Sequence, residues 1–343
     1  MTQTATVRVM SPEEIAAKAG GQTPYLLWPE RSTHFAEREM RLRQLSRGHA
    51  MGDFLAFVAE LARAQHALLQ RFPVAPLPDD AALDAAARAG APPLPAVDWP
   101  RDAAWREGLR TLLADLRPTV PAATHPVIDR LGALDDAALE VQADCLLTGV
   151  THGLDLATAP LVAAALQVYW THLVLSVLAA GNARGQPFGR ITDETLCPCC
   201  GSRPVASLTR SSGESLGQRY LVCSLCSSQW HMVRIKCPHC LSGRSLAYQS
   251  LQAAQAPSDA GVAAAAIQAE TCDDCGHYLK ILHTDRDPQV EAVADDLASL
   301  TLDLLVAEEG RQRHGVNLML LFGDPGDGAP DAPAPGSDSG AGD

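Results

Sequence analysis

Four C-x-x-C pairs stand between Cys197 and Cys275: Cys197/Cys200, Cys223/Cys226, Cys237/Cys240 and Cys272/Cys275. No other feature limits the fold of this chain as strongly. A tight turn with two cysteines three apart aims both sulfurs at one point, and its backbone amides can hydrogen-bond the thiolates. Two such turns supply four ligands, which close a tetrahedral shell around zinc or iron. One pair would be weak evidence. Four pairs, with all of the ten cysteines except Cys145 gathered in one region, are strong evidence for two four-cysteine sites.

The first and third pairs read C-P-x-C, whereas "CSLC" and "CDDC" lack the proline. The region therefore reads as a doubled unit. Cys197, Cys200, Cys223 and Cys226 hold one metal, and Cys237, Cys240, Cys272 and Cys275 hold the other; an interleaved pairing is the alternative. Both gaps suit a β-hairpin between knuckles. Strand-like runs lie at 219–223, 229–236, 246–251 and 277–283, bounded by Gly, Ser and Pro. The run "QWHMVRIK" leads from the second knuckle straight into the third, which predicts one rigid two-site unit. Small ribbons bury too little apolar area to fold unaided, so metal supplies the missing folding energy. A closed shell of four thiolates offers substrate no open position, so no catalytic residue is assigned and the chain is not read as an enzyme.

Neighbouring residues read more plainly. With four cysteines available per site, His231, His239 and His277 are expected to be non-ligands, and Asp273 and Asp274 to be solvated turn residues. Cys199, at the x of "CPCC", reads as an incidental occupant of an unconstrained position, and Cys145 as a small buried hydrophobe. Arg203, Arg210, Arg219, Arg234, Lys236 and Arg244 face only Glu214 within 197–244. They offset the negative charge of thiolate clusters, or form a binding surface for a partner or nucleic acid.

The rest of the chain is helical in pattern. Hydrophobic residues make up 47% and aromatics only 5%, so the core is built from Ala, Leu and Val, which favours helices over a β-sandwich. A helical pattern spans 32–72, with Met51, Phe54, Leu55, Val58, Leu61, Ala62 and Leu68 on one face, and "FPVAPLP" ends it. Further helices are expected at 81–89, 102–116, 123–133, 136–150 and 157–181, with "APPLPAVDWP" a loop. The last helix belongs to a charge-free stretch between Asp155 and Arg184, long enough to span a bilayer. Gln167, Thr171, His172 and Ser176 interrupt it, and it has no second counterpart, so it reads as a buried central helix. After the break "GNARGQPFG" and the cysteine region, a helix at 290–310 is expected to pack back onto the N-terminal helices.

The expected fold is thus α+β. Residues 1–30 are weakly ordered; an all-α helical domain spans 31–186; a tandem rubredoxin-like, zinc-ribbon-like four-cysteine module spans 190–285; a C-terminal helical segment spans 288–322; and 324–343 is a disordered tail. The start, "MTQTATVRVMSPEEI", lacks the apolar run of a secretion signal, which implies a reducing, cytoplasmic setting where cysteines serve metal or redox chemistry. The net charge of -13 argues against affinity for nucleic acid or anionic membrane.

The segments "CPCCGSRP", "RYLVCSLCSSQWHMVRIKCPHC" and "AETCDDCGHYLKILHTDRDPQVEAVADDLASLTLDLL" together closely resemble the formate dehydrogenase accessory protein FdhE family, over about Cys197 to Leu305. The resemblance implies a cytoplasmic, non-enzymatic protein that respiratory formate dehydrogenase needs for activity. It implies contact with that enzyme's catalytic subunit before export, and iron bound through rubredoxin-like cysteine motifs. All eight paired cysteines fit the ligand pattern. The expected function is therefore that of a chaperone-like assembly factor for a molybdenum-containing formate dehydrogenase. Two sites carry iron, with zinc the alternative; the partner is the catalytic subunit, with self-association a further option, and neither nucleic-acid binding nor stable membrane insertion is expected. A zinc-ribbon nucleic-acid binder and a C-x-x-C thiol redox protein are the competing readings, the latter needing a low-pKa thiol at a helix N-terminus.

Overall fold

The computed structural model describes residues 23–181, 186–212, 215–251 and 265–321. The expected tail at 324–343, the N-terminal residues before Thr23 and residues 182–185 of the 181–189 break lie outside the described residues.

Helices α1 (His34–Ser46) and α2 (Gly52–Gln70) replace the single run expected over 32–72. The chain breaks between them because Gly48 takes a left-handed φ of 71°, a conformation open to glycine. His49 fixes the corner: Nδ1 accepts from the Met51 amide at 3.0 Å, and Nε2 lies 2.9 Å from the Ala298 carbonyl. On α2, Leu55, Val58, Leu61, Ala62 and Leu68 are buried as expected, whereas Met51 and Phe54 at its start are half-buried. Helices α3 (Asp80–Ala89) and α6 (Asp136–Thr148) share one design. An aspartate, Asp79 or Asp135, accepts the first free amide, and a left-handed glycine, Gly90 or Gly149, ends the helix. Helices α4 (Ala104–Leu116) and α5 (His125–Gly132) lie between them.

Helix α7 (Ala159–Ala180) is the charge-free stretch. Pro160 starts it, where a missing amide hydrogen costs nothing, and Gly181 ends it. Among the described residues it is the one helix long and apolar enough to cross a membrane, and 83% of its most apolar window is buried inside the protein. It is apolar on every side because other elements surround it. Its buried polar side chains are all used. Gln167 accepts from Gln65 Nε2 at 2.9 Å and donates to the Ser224 carbonyl at 2.7 Å; Thr171 Oγ1 donates to the Cys226 carbonyl at 3.4 Å; His172 pairs with Ser176 Oγ at 3.2 Å.

The chain beyond α7, joined by β1 from ahead of α1, forms one eight-stranded sheet: β1 (Leu26–Leu27), β2 (Pro204–Ser212), β3 (Ser215–Cys223), β4 (Gln229–His231), β5 (Leu246–Gln249), β6 (Ile267–Cys272), β7 (His277–His283) and β8 (Gln312–Arg313). The order is β1-β4-β3-β2-β7-β6-β5, with β8 also on β7. Neighbours are antiparallel except β2–β7 and β7–β8, which are parallel. The β2–β7 ladder, with Ser207 opposite Ile281 and Thr209 opposite His283, fuses the two cysteine hairpins into a single sheet.

The expected strand 229–236 is shorter. It ends at His231, and the Val233–Lys236 turn follows, held by Arg219, whose guanidinium donates to the carbonyls of Val233 and Lys236 at 2.9 and 2.5 Å. The link from second to third knuckle is therefore a clamped turn. The closing helix divides into α8 (Ala292–Ala298) and α9 (Leu300–Glu308). It packs back as expected: Arg38 meets Glu291 at 3.0 Å, and Arg41 meets Asp295 at 2.6 Å. Leu302 and Val306 of α9 cover Ala269 and Tyr278 on the sheet. The fold is α+β, a helical body joined to a sheet carrying two four-cysteine clusters.

Candidate metal centres

Each C-x-x-C pair sits in a turn with the same local design. The Cys197 amide donates to Ser202 O at 3.0 Å, Cys223 to Ser228 O at 2.9 Å and Cys237 to Ser242 O at 2.7 Å. In every turn the residue after the second cysteine is left-handed: Gly201, Ser227, Leu241 and Gly276, with φ of 74°, 62°, 62° and 73°. Two of these are not glycine, so the turn geometry is held against a steric penalty. Amides point at sulfur. Leu225 and Cys226 N–H donate to Cys223 Sγ, and His239 N–H donates to Cys237 Sγ, all at 3.4 Å.

The four turns meet in the order expected from the doubled unit. The sulfurs of Cys197, Cys200, Cys223 and Cys226 lie within 4.8 Å of one another, as do those of Cys237, Cys240, Cys272 and Cys275. The interleaved pairing is not formed. In the first cluster, Cys197–Cys226 and Cys200–Cys223 are 3.5 and 3.4 Å apart; in the second, Cys237–Cys275 and Cys240–Cys272 are 3.8 and 3.7 Å apart. A disulfide needs about 2.05 Å. A tetrahedron with metal–sulfur bonds of about 2.3 Å has edges of about 3.8 Å. The clusters thus fit a tetrahedral metal and not a pair of disulfides. Burial pushes the Cys197, Cys223 and Cys237 thiols far above their ordinary range. A cation is what lets such thiols ionise together.

The clusters differ in setting. The first belongs to the main hydrophobic core, alongside residues of α2, α4 and α7. All four of its cysteines are buried. Gln167 and Thr171 of α7 hold the second knuckle by its backbone. The "APPLPAVDWP" segment straps the first knuckle: Leu94 N–H donates to Cys199 O at 3.0 Å and Ala96 N–H to Cys200 O at 2.8 Å. The second cluster is peripheral. Cys237 and Cys272 are buried, Cys275 is half-buried and Cys240 is exposed.

Family models for FdhE match nearly the whole described chain: the N-terminal model over residues 23–185, the central domain over 196–234 and the C-terminal domain over 235–320. The FdhE homolog of Pseudomonas aeruginosa is 40% identical over 316 residues, 92% of this chain and 98% of its own. That of Cronobacter sakazakii is 40% identical over 301 residues, covering 88% and 92%. The chain belongs to the FdhE family. Its fold agrees with the crystal structure of the FdhE protein from Pseudomonas aeruginosa, with a TM-score of 0.77, 39% identity, and coverage of 88% of this chain and 100% of that one. The boundary between the central and C-terminal FdhE models falls at 234/235, inside the turn that Arg219 clamps. Each FdhE model on the cysteine side therefore contains one complete four-sulfur cluster.

Several residues depart from the reading of the sequence. Cys199 is fully buried, with its carbonyl bonded to the strap, so its position is packed and not unconstrained. Cys145 is half-buried, its Sγ 3.7 Å from the His152 carbonyl, and is not a core residue. Asp273 and Asp274, by contrast, are exposed turn residues as expected, and they also pair, Asp273 with Arg311 and Asp274 with the Ser242 hydroxyl. Arg219 and Glu270 form a fully buried ion pair between β3 and β6. The spacing of the sequence carries no sign of this pair, because its two strands are separated in the sheet by β2 and β7 and meet only through their side chains.

Proposed function

We propose that the chain is an assembly factor for respiratory, molybdenum-containing formate dehydrogenase, acting in the cytoplasm and without catalysis of its own. Cys197, Cys200, Cys223 and Cys226 ligate one ion, and Cys237, Cys240, Cys272 and Cys275 another. The observation that carries this is the convergence of eight cysteines into two four-sulfur clusters in a chain of the FdhE family. Iron is the preferred ion and zinc the alternative, since tetrahedral thiolate sites suit both. Bound there, the ion supplies folding energy and neutralises buried thiolates; closed shells leave no coordination position for substrate.

The partner is the catalytic subunit of formate dehydrogenase, met through or alongside the second cluster. Val233 and Ile235, on the turn entering that cluster, and Leu241 just after Cys240, are exposed apolar side chains. Exposed apolar groups of this kind suit a protein interface better than nucleic acid, and the charge of -13 points the same way. Neither stable membrane insertion nor nucleic-acid binding is part of the reading, and self-association is compatible with it.

Two measurements test it. Anaerobic purification with metal analysis and visible absorption should give two metal ions per chain, coloured if iron. Pull-down with the catalytic subunit should retain that subunit; failure to bind under both reducing and oxidising conditions would remove the assembly reading.

A further inference from the structure

The doubled unit places two extra side chains beside each cluster at equivalent positions. One is the residue just before the second cysteine of the proline-bearing pair; the other lies two past the second cysteine of the other pair. At the first cluster these are Cys199 and Ser228, both buried, with Cys226 Sγ 3.3 Å from Ser228 Oγ. At the second they are His239 and His277, two imidazoles at a peripheral site. Their rings stack with centroids 3.7 Å apart and planes 12° apart. One ligand atom from each of His239, Cys275 and His277 falls within a 4.8 Å group.

We propose that His239, His277 and the Cys275 sulfur form a third cation site, for a borderline divalent ion such as zinc or cobalt, on the solvent side of the second cluster. This rests on Cys275 being a ligand of that cluster, where it would act as a thiolate bridging two ions. Two nitrogens and a thiolate are a donor set that such ions favour. Four thiolates around a divalent ion also leave net negative charge to attract a second cation, against the field of Arg203, which reaches His239.

Three further observations support the site. His277 Nδ1 lies 2.9 Å from the Cys275 carbonyl. With Nδ1 donating there, Nε2 keeps the free lone pair, and ligating histidines are held in this way. His314 is 4% exposed, and its Nε2 has no hydrogen-bond partner. Its ring stands edge-on to His239 with centroids 5.0 Å apart, so a further imidazole with an unpartnered nitrogen borders the His239 ring. His239 is exposed, which gives an ion access and lets its ring turn. Some rotation is needed, because a ligated metal lies in the plane of each imidazole and stacked rings share no such point.

The test uses the untagged full chain, loaded with zinc and then titrated with cobalt. Wild-type protein should take up one cobalt ion beyond its two zinc ions, with visible ligand-field bands and a sulfur-to-cobalt charge-transfer band. The His239→Ala/His277→Ala variant should lose that one equivalent and keep both zinc ions. His239→Ala alone, at an exposed position, should weaken cobalt binding by about tenfold or more without disturbing the fold. Saturation of wild type at two ions, or a third equivalent that survives in the double variant, overturns the site. Fewer than two zinc ions would instead count against the two-cluster reading. The difference in cobalt uptake between wild type and the double variant would still decide the third site.

Discussion

Gln167, in the middle of the charge-free helix α7, donates its side-chain amide to the carbonyl of Ser224 inside the second knuckle, at 2.7 Å. Its own carbonyl oxygen accepts from Gln65 and Arg38. A polar residue in a charge-free helix is thus, with Thr171, a pin between helical body and first cluster. Replacing Gln167 with Leu should leave Ser224 O unsatisfied in the core and destabilise the protein by about 1–3 kcal/mol. Chemical denaturation reads the loss, and faster release of one metal ion to a chelator reads the loosened knuckle.

Cys199 and Cys200 should separate in metal content. Cys200→Ser removes a sulfur from the first cluster, and one of the two metal ions should go with it. Cys199→Ser should keep both ions, yet lower stability by on the order of 1 kcal/mol, because a hydroxyl replaces a fully buried thiol. Metal analysis beside a melting curve distinguishes them; loss of an ion on Cys199→Ser would reassign the knuckle.

The two clusters should release metal at different rates. The first lies in the main core, whereas the second exposes Cys240 and half-exposes Cys275. A chelator or mild oxidant should therefore remove one ion in a fast phase and the other in a slow phase set by opening of the fold. Cys240→Ser should abolish the fast phase and leave the slow one.

Arg219 and Glu270 are both fully buried and hold the strands that end at Cys223 and Cys272. Arg219 also clamps the 233–236 turn between the clusters. Arg219→Met should cost about 3–5 kcal/mol by stranding the Glu270 charge. The pair Arg219→Met/Glu270→Leu should recover part of that loss. Denaturation of both variants reads the difference, and equal losses would show that the pair acts through packing alone.

Burial, helped by Arg31, lowers His172 to about 4; burial, helped by Arg286, lowers His283 to about 4. Both are neutral in the fold, and on unfolding each takes up a proton below pH about 6.5. The unfolded state then binds more protons, so stability present above pH about 6.5 is lost as pH falls toward 4. Each group should contribute roughly 1.4 kcal/mol to the loss at pH about 5.5. His283→Gln should flatten the pH dependence by about that amount, measured by denaturation with metal content held constant.

The cysteine spacing marked all four knuckles, because a knuckle is a local object whose turn and amides lie within a few residues; the repeated C-P-x-C then C-x-x-C order suggested which two share an ion, and the folded sheet decided it against an interleaved pairing. Helical periodicity likewise marked α3 through α7 to within a few residues, since an apolar stripe is written along the chain. The sheet was less legible. Strands β2 and β6 read "PVASLTRSS" and "IQAETC", without clear alternation. Val205 to Thr209 are all buried, so no polar face remains to mark a strand, and β2 is a strand because β3 and β7 pair with it on both sides. The split at Gly48, the short β4 and the strap on Cys199 depend on partners distant in sequence in the same way. So does the inequality of the clusters. Two nearly identical sets of ligands differ because α7 and the strap cover one and not the other, and burial by distant elements has no signature in the spacing of the cysteines themselves.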